Sequence, residues 1–269
     1  MTLRPSVAVI GVGAMGQALV MGLLRAGWEP SALSLCVRRP GRLDELTRLT
    51  AASVGLDPRA AVEGKEVVVI SVKPRDVGPL LETLTGAIGH DQLVLSFAAG
   101  VPTGVFEEEL EGVPVVRAMP NTPALVGQAV TAMAAGLHTH PVHLEKARAV
   151  LGAVGDVQLL DESLLDAVTA VSGTGPAYVF LLAEALTEAA IREGLPRDVA
   201  ETFVNQTVRG AGHLLTDTPL GPSELRAQVT SPGGTTAAAV HILEERGFRA
   251  LVEDAVRAAA QRARELGAG

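Results

Sequence analysis

Two glycine-rich stretches carry the chemistry-bearing spacing of this 269-residue chain. The first is Gly11-Val12-Gly13-Ala14-Met15-Gly16, set between a β-branched run and an apolar stretch of helical period. In a strand–turn–helix setting, G-x-G-x-x-G is a cradle for a dinucleotide. Gly11 permits the tight turn, Gly13 lets the backbone approach a pyrophosphate, and Gly16 lets helix and strand pack closely. The helix N-terminus adds free amides and a partial positive charge. Val12, Ala14 and Met15 belong to the same cradle by position. The second stretch is Val229-Thr230-Ser231-Pro232-Gly233-Gly234-Thr235-Thr236, again just before a helical segment. Pro-Gly-Gly followed by two threonines gathers amide and hydroxyl donors into an anion nest. It suits a substrate carboxylate, with Ser231, Gly233, Gly234, Thr235 and Thr236 as the candidate binding residues.

The cofactor choice is read about 20 residues past the first turn, where an NAD site carries an acid for the ribose. Here the second strand ends in Arg38-Arg39, and no acid follows until Asp44. Paired guanidinium groups suit a 2′-phosphate. NADPH is therefore expected over NADH, with NADH left open. The ends of the other strands should line the same crevice. They supply Val72, Lys73, Pro74, Ala98, Ala99 and Asn121 as further cofactor candidates. No metal site is expected, because His138, His140 and His143 have no acid or Cys at ligand spacing. The single Cys36 ends an apolar strand and reads as core. Carboxylate pairs for glycosidase chemistry and a G-x-S-x-G elbow are absent.

Elements that would position these groups follow from the hydrophobic pattern. Strand signals at Ser6–Ile10, Ala32–Val37, Glu66–Val72, Gln92–Phe97 and Val113–Arg117 alternate with helical segments. Glu66-Val67-Val68-Val69-Ile70-Ser71-Val72 is continuously apolar after its first residue but for Ser71, as in a strand buried on both faces. That alternation predicts an α/β domain over residues 1–160, a parallel sheet with helices on both sides. Gln128–Ala134 and Asp156–Leu160 read as later strands. From 161 to 269 strand signals stop, and Gly and Pro punctuate an all-helical second domain. Within it, Ala177–Ala183 is apolar on every face, which requires burial. So small a domain would struggle to surround that helix, and a second copy of the chain is expected to cover it. Val7–Leu24 is interrupted by glycines and Gln17 and reads as neither leader nor membrane span. Lys and Arg number 22 against 30 Asp and Glu, a net charge of −8. No nucleic-acid or membrane partner is expected of so acidic a chain. One cysteine points to a reduced, cytoplasmic setting.

The chain resembles the pyrroline-5-carboxylate reductase family. The resemblance rests on G-V-G-A-M-G at 11–16, S-V-K-P at 71–74, M-P-N-T-P at 119–123, S-G-T-G-P-A-Y at 172–178 and V-T-S-P-G-G-T-T at 229–236. It implies an N-terminal Rossmann-type domain and a C-terminal all-helical dimerisation domain. It also implies reduction of the cyclic imine 1-pyrroline-5-carboxylate to L-proline with NAD(P)H, the last step of proline synthesis. Dimers of this family often assemble further, commonly into decamers. By resemblance, Ser231 to Thr236 form the substrate loop and Thr236 hydrogen-bonds the ring nitrogen, so Thr236 and Ser231 are the expected catalytic residues. Some relatives place Asn two residues before the Thr of the last block, where this chain has Gln228. Two other readings are a non-catalytic NADPH sensor and a β-hydroxyacid dehydrogenase. The latter would need Lys and Asn on the helical face that here carries Val179 and Ala183.

Overall fold

The computed structural model describes residues 3–267. Eight strands are β1 (Val7–Ile10), β2 (Leu33–Cys36), β3 (Ser53–Gly55), β4 (Val67–Ile70), β5 (Leu93–Ser96), β6 (Val115–Met119), β7 (Ala129–Ala135) and β8 (Gly155–Leu159). They form one sheet in the order β3-β2-β1-β4-β5-β6-β7-β8. The helices between them are α1 (Ala14–Arg25), α2 (Leu43–Thr50), α3 (Pro58–Val62), α4 (Val77–Leu84), α5 (Thr103–Glu109) and α6 (Pro141–Gly152). After β8 come α7 (Leu165–Val168), α8 (Gly175–Arg192), α9 (Arg197–Asp217), α10 (Pro222–Gln228), α11 (Thr235–Glu245) and α12 (Phe248–Gly267).

Side-chain alternation along the central strands explains their unbroken apolar character. Val7 and Val9 of β1 join a core with Leu19 and Leu23 of α1 and Val150 of α6. Ala8 and Ile10, on the other face, join a separate core with Val62, Leu81 and Phe106. Both faces are thus dry, as parallel sheets require.

The sheet departs from the all-parallel expectation at one place, because β6 and β7 pair antiparallel, Ala118 opposite Met133. The connection between them covers only residues 120–128, including a 3₁₀ turn at Thr122–Val126. A parallel return needs a crossover of a dozen or more residues. Two short elements escaped the pattern reading. β3 has three residues, and α3 has five. The turn into β3 is made by Ala51, which ends α2 at φ 55.

Two compact units emerge from the contacts. The first takes in the chain up to Thr174 together with residues from Ala258 on; the second is Gly175–Arg257. Composition changes at 160/161, but residues 162–173 pack in the first unit. Leu165 of α7 lies on Ala132 and Ala134 of β7. Arg117 of β6, 6% exposed, bonds Glu162 at 3.3 Å and Asp166 at 3.2 Å. Glu162 also accepts from the backbone and hydroxyl of Thr103, each at 2.8 Å. A π-helical turn, Thr169–Gly173, completes this segment. α12 ends in the first unit, where Gly100 (φ 79) lies so close that a Cβ there would sit 2.9 Å from the Ala263 carbonyl oxygen.

In the second unit, α8 and α9 form a helical hairpin turning at Gly194 (φ 99). No residue of α8 is buried within one chain, and Phe180 and Leu181 are 67% and 66% exposed. Glu162–Arg192 is the one helical stretch among the described residues long and apolar enough to cross a membrane by length and composition.

Candidate functional site: a dinucleotide crevice and a glycine-threonine anion loop

At the carboxyl ends of β1, β2, β4 and β5 a crevice of about 1110 Å³ opens in the first unit. This is where open α/β sheets bind ligands. Gly11, Val12, Gly13, Ala14 and Met15 line it, with Arg38, Arg39, Val72, Lys73, Pro74 and Ala99. The other three expected cofactor residues lie elsewhere. Gly16 is buried beneath the turn, where a Cβ would come within 2.8 Å of the Gly11 carbonyl oxygen. Ala98 is buried at 2% exposure. Asn121 is also buried, and its amide is engaged inside the fold. Its Nδ2 donates to the Ser172 carbonyl at 3.2 Å, and its Oδ1 accepts from the Val130 amide at 3.1 Å.

The turn itself is built for close approach. Gly11 has φ 88, and a Cβ on it would meet the Ser71 carbonyl oxygen at 2.8 Å. Gly13, by contrast, has nothing within 4 Å of its Cβ position. It caps α1 without any side-chain hydrogen bond, so the first-turn amides of that helix have no intrahelical acceptor. An exposed backbone beside free amides fits a pyrophosphate.

The far end of the crevice is cationic. Arg38 reaches Asp76 at 3.5 Å with its own side chain 76% exposed. Arg39 pairs with no acid among the described residues. A third arginine, Arg42, also lines the crevice, and residue spacing had not singled it out. The signal was local, because Pro40-Gly41 makes a 3₁₀ turn that returns Arg42 toward the strand end. Cys36, at the base, is buried at 5% exposure. Burial first, and the charge of Asp57 second, push its thiol up to about 11.

In the second unit the candidate anion loop joins α10 to α11. The Gly234 amide donates to the Ser231 carbonyl at 3.1 Å, and Gly233 has φ 69. Gly234 caps α11 with no side-chain bond, leaving the helix's first amides as donors. A Cβ on Gly234 would strike the Ser231 hydroxyl. Ser231, Thr235 and Thr236 make no side-chain hydrogen bond among the described residues. Near the other end of α11, Glu244 pairs with Arg249 of α12 at 2.7 Å and with Arg226 of α10 at 3.6 Å. Hydrogen bonds from Arg249 hold its carboxyl below the usual range. Among the described residues no cluster of His, Cys, Asp or Glu can hold a metal ion.

Comparison with known proteins adds independent findings. A family model for pyrroline-5-carboxylate reductase dimerisation matches residues 162–266. Another, described as NADP oxidoreductase coenzyme F420-dependent, matches residues 6–100. The chain is 43% identical to a pyrroline-5-carboxylate reductase of Mycobacterium tuberculosis, over 97% of this chain and 96% of that one. It superposes on the solved structure of a pyrroline-5-carboxylate reductase from Coxiella burnetii with a TM-score of 0.91. Identity there is 36%, covering 98% of this chain and 99% of that one. A Plasmodium falciparum pyrroline carboxylate reductase crystallised with NADP bound gives a TM-score of 0.89 at 26% identity, with 98% of each chain covered.

Proposed function

The chain belongs to the pyrroline-5-carboxylate reductase family, and we propose that the crevice holds NADPH while residues 231–236 hold the substrate. The enzyme is an oxidoreductase that reduces 1-pyrroline-5-carboxylate to L-proline. The observation that carries the division of labour is the pair of uncapped helix starts, Gly13 before α1 and Gly234 before α11. One sits in a crevice with arginines for a phosphate, and the other sits among free hydroxyls.

When bound, the reduced nicotinamide supplies a hydride to the imine carbon, and the ring nitrogen ends with one more hydrogen than the neutral imine. A protonated imine is already electrophilic, so the protein's part is orientation and charge stabilisation. The α11 amides and the Ser231 and Thr235 hydroxyls bind the carboxylate. Thr236 hydrogen-bonds the ring nitrogen. Its hydroxyl is too weak an acid to serve as proton source, so the proton arrives on the substrate or from water. Arg38 and Arg39 hold the 2′-phosphate, and Lys73-Pro74 closes the turn along the crevice wall. Absorbance loss of NADPH with pyrroline-5-carboxylate, run beside NADH, tests this. NADPH-dependent formation of proline is expected, and binding of NADPH without turnover would favour a sensor instead.

The second unit supports a homodimer. Phe180, Leu181 and Phe203 are each about two-thirds exposed in a single chain, more apolar surface than a monomer ordinarily shows. The dimerisation match covers these helices. Larger assemblies such as a decamer would be built from that dimer. With a net charge of −8 and a biosynthetic reaction, a cytoplasmic location without nucleic-acid or membrane partners is the reading we favour.

A further inference from the structure

We propose that Arg42 is a specificity-determining residue of the crevice, reading the 2′-phosphate and holding the glycine turn with the same guanidinium. The inference rests on the crevice being the seat of NADP(H). Arg38 and Arg39 are exposed, and only Arg38 has an acid partner. Arg42 is different, with a side chain only 33% exposed and fixed from three directions. Its Nη2 donates to Gln17 Oε1 of α1 at 2.8 Å and to the Val12 carbonyl of the turn at 3.4 Å. Its Nη1 donates to both carboxylate oxygens of Glu45 on α2, at 2.8 and 2.9 Å.

A guanidinium already ordered by its fold loses little freedom on meeting a phosphate, whereas a mobile surface arginine must be immobilised. The anion it holds is a carboxylate with both oxygens on the one nitrogen Nη1, a charged donor that a phosphate oxygen accepts from equally well. Glu45 is 51% exposed, and ion pairs so placed are weak. A phosphate dianion can therefore displace or share that partner, while Gln17 and Val12 keep the guanidinium in place. Glu45 acts as a resident competitor for the phosphate position. NADH brings no second anion and leaves the Arg42–Glu45 pair closed.

The test is calorimetric binding of 2′,5′-ADP and of 5′-AMP to the full chain. The two nucleotides differ by the 2′-phosphate, and no turnover is involved. The wild type should bind 2′,5′-ADP at least about 10-fold more tightly, since hydrogen bonds to charged groups are worth that much or more. Arg42→Ala should erase most of this ratio with 5′-AMP shifted less than about 3-fold, and Arg42→Lys should restore part of it. Glu45→Gln, which keeps the arginine and removes the competing charge, should raise 2′,5′-ADP affinity about 2- to 5-fold with 5′-AMP unchanged. An Arg42→Ala protein that keeps the ratio, or loses both nucleotides equally, overturns the proposal. Should that variant melt, an unchanged 2′,5′-ADP affinity in Glu45→Gln overturns it as well. A wild type blind to the 2′-phosphate overturns the NADPH assignment with it. A wild type that keeps the ratio but fails to reduce pyrroline-5-carboxylate overturns only the reaction.

Discussion

The first two glycines of the turn invite the same substitution with opposite consequences. In Gly11→Ala the new methyl stands 2.7 Å from Val72 Cγ1 and 2.8 Å from the Ser71 carbonyl oxygen, at φ 88. Left-handed backbone costs an alanine roughly 1–2 kcal/mol. Displacing packed neighbours costs about 1–3 kcal/mol more. A loss of about 2–5 kcal/mol is a large share of a domain's roughly 5–15 kcal/mol. In Gly13→Ala the methyl meets nothing within 4 Å, and the backbone at φ −83, ψ −159 admits alanine. Stability should stay within about 0.5 kcal/mol of the wild type. If a pyrophosphate lies against this turn, however, that methyl occupies its approach. The NADPH dissociation constant should rise by about 10-fold or more, which is about 1.4 kcal/mol. Urea unfolding and NADPH fluorescence titration measure the two quantities separately. A Gly13→Ala protein that binds NADPH like the wild type would refute the argument that the turn faces the diphosphate. A Gly11→Ala protein of native stability would refute the steric reasoning.

Four other outcomes are expected. Thr236→Ala should lower kcat/KM about 10- to 1000-fold, roughly 1.4–4 kcal/mol, with Thr236→Ser recovering part of it; an unimpaired Ala variant removes Thr236 from the ring nitrogen. Arg117→Met strips the cation from Glu162 and Asp166, each about a quarter exposed, and should cost about 2–4 kcal/mol in urea unfolding. Part of that loss should return when both acids are made amides, and no return would show that the charges are not the cause. The Thr131 hydroxyl is buried with no hydrogen-bond partner among the described residues, so Thr131→Val should be neutral or stabilising by up to about 1 kcal/mol, and a loss of stability would reveal a partner. Burial pushes the Cys36 thiol up to about 11 in the fold, against about 8.5 for an unfolded cysteine. Its raised value makes a stabilising contribution that is complete below about pH 8.5 and fades as pH climbs toward 11. Cys36→Ala should flatten the stability decline across that window, and an unchanged slope would assign it to other groups.

Most of the scaffold was legible because its signals were long or strongly punctuated. Buried parallel strands read as unbroken β-branched runs, and the helices after residue 161 were bracketed by Gly and Pro. What escaped was set by geometry that one-dimensional pattern does not carry. β3 is three residues long and partly exposed, too short for any period. The antiparallel β6–β7 pair depends on the length of a connection rather than on either strand. Asn121 was read as a cofactor residue from its place at a strand end, yet its amide spans the π-helical turn and β7. Arg42 was overlooked beside the more conspicuous Arg38-Arg39, since only a turn at Pro40 brings it to the same wall. The glycine turn that opens α11 was readable as a local motif, because helix starts and glycine conformations are written in adjacent residues.

The return of α12 to Gly100 has a consequence for biosynthesis. A ribosome delivers the nucleotide-binding half first, yet that half stays unfinished until residues 258–267 have left the exit tunnel. The backbone next to Ala99 is therefore approached by α12 backbone that is translated long after it. A nascent chain would leave the loop at Gly100 uncovered until α12 emerges, and a stop codon placed early in α12 should loosen a segment encoded more than a hundred codons upstream.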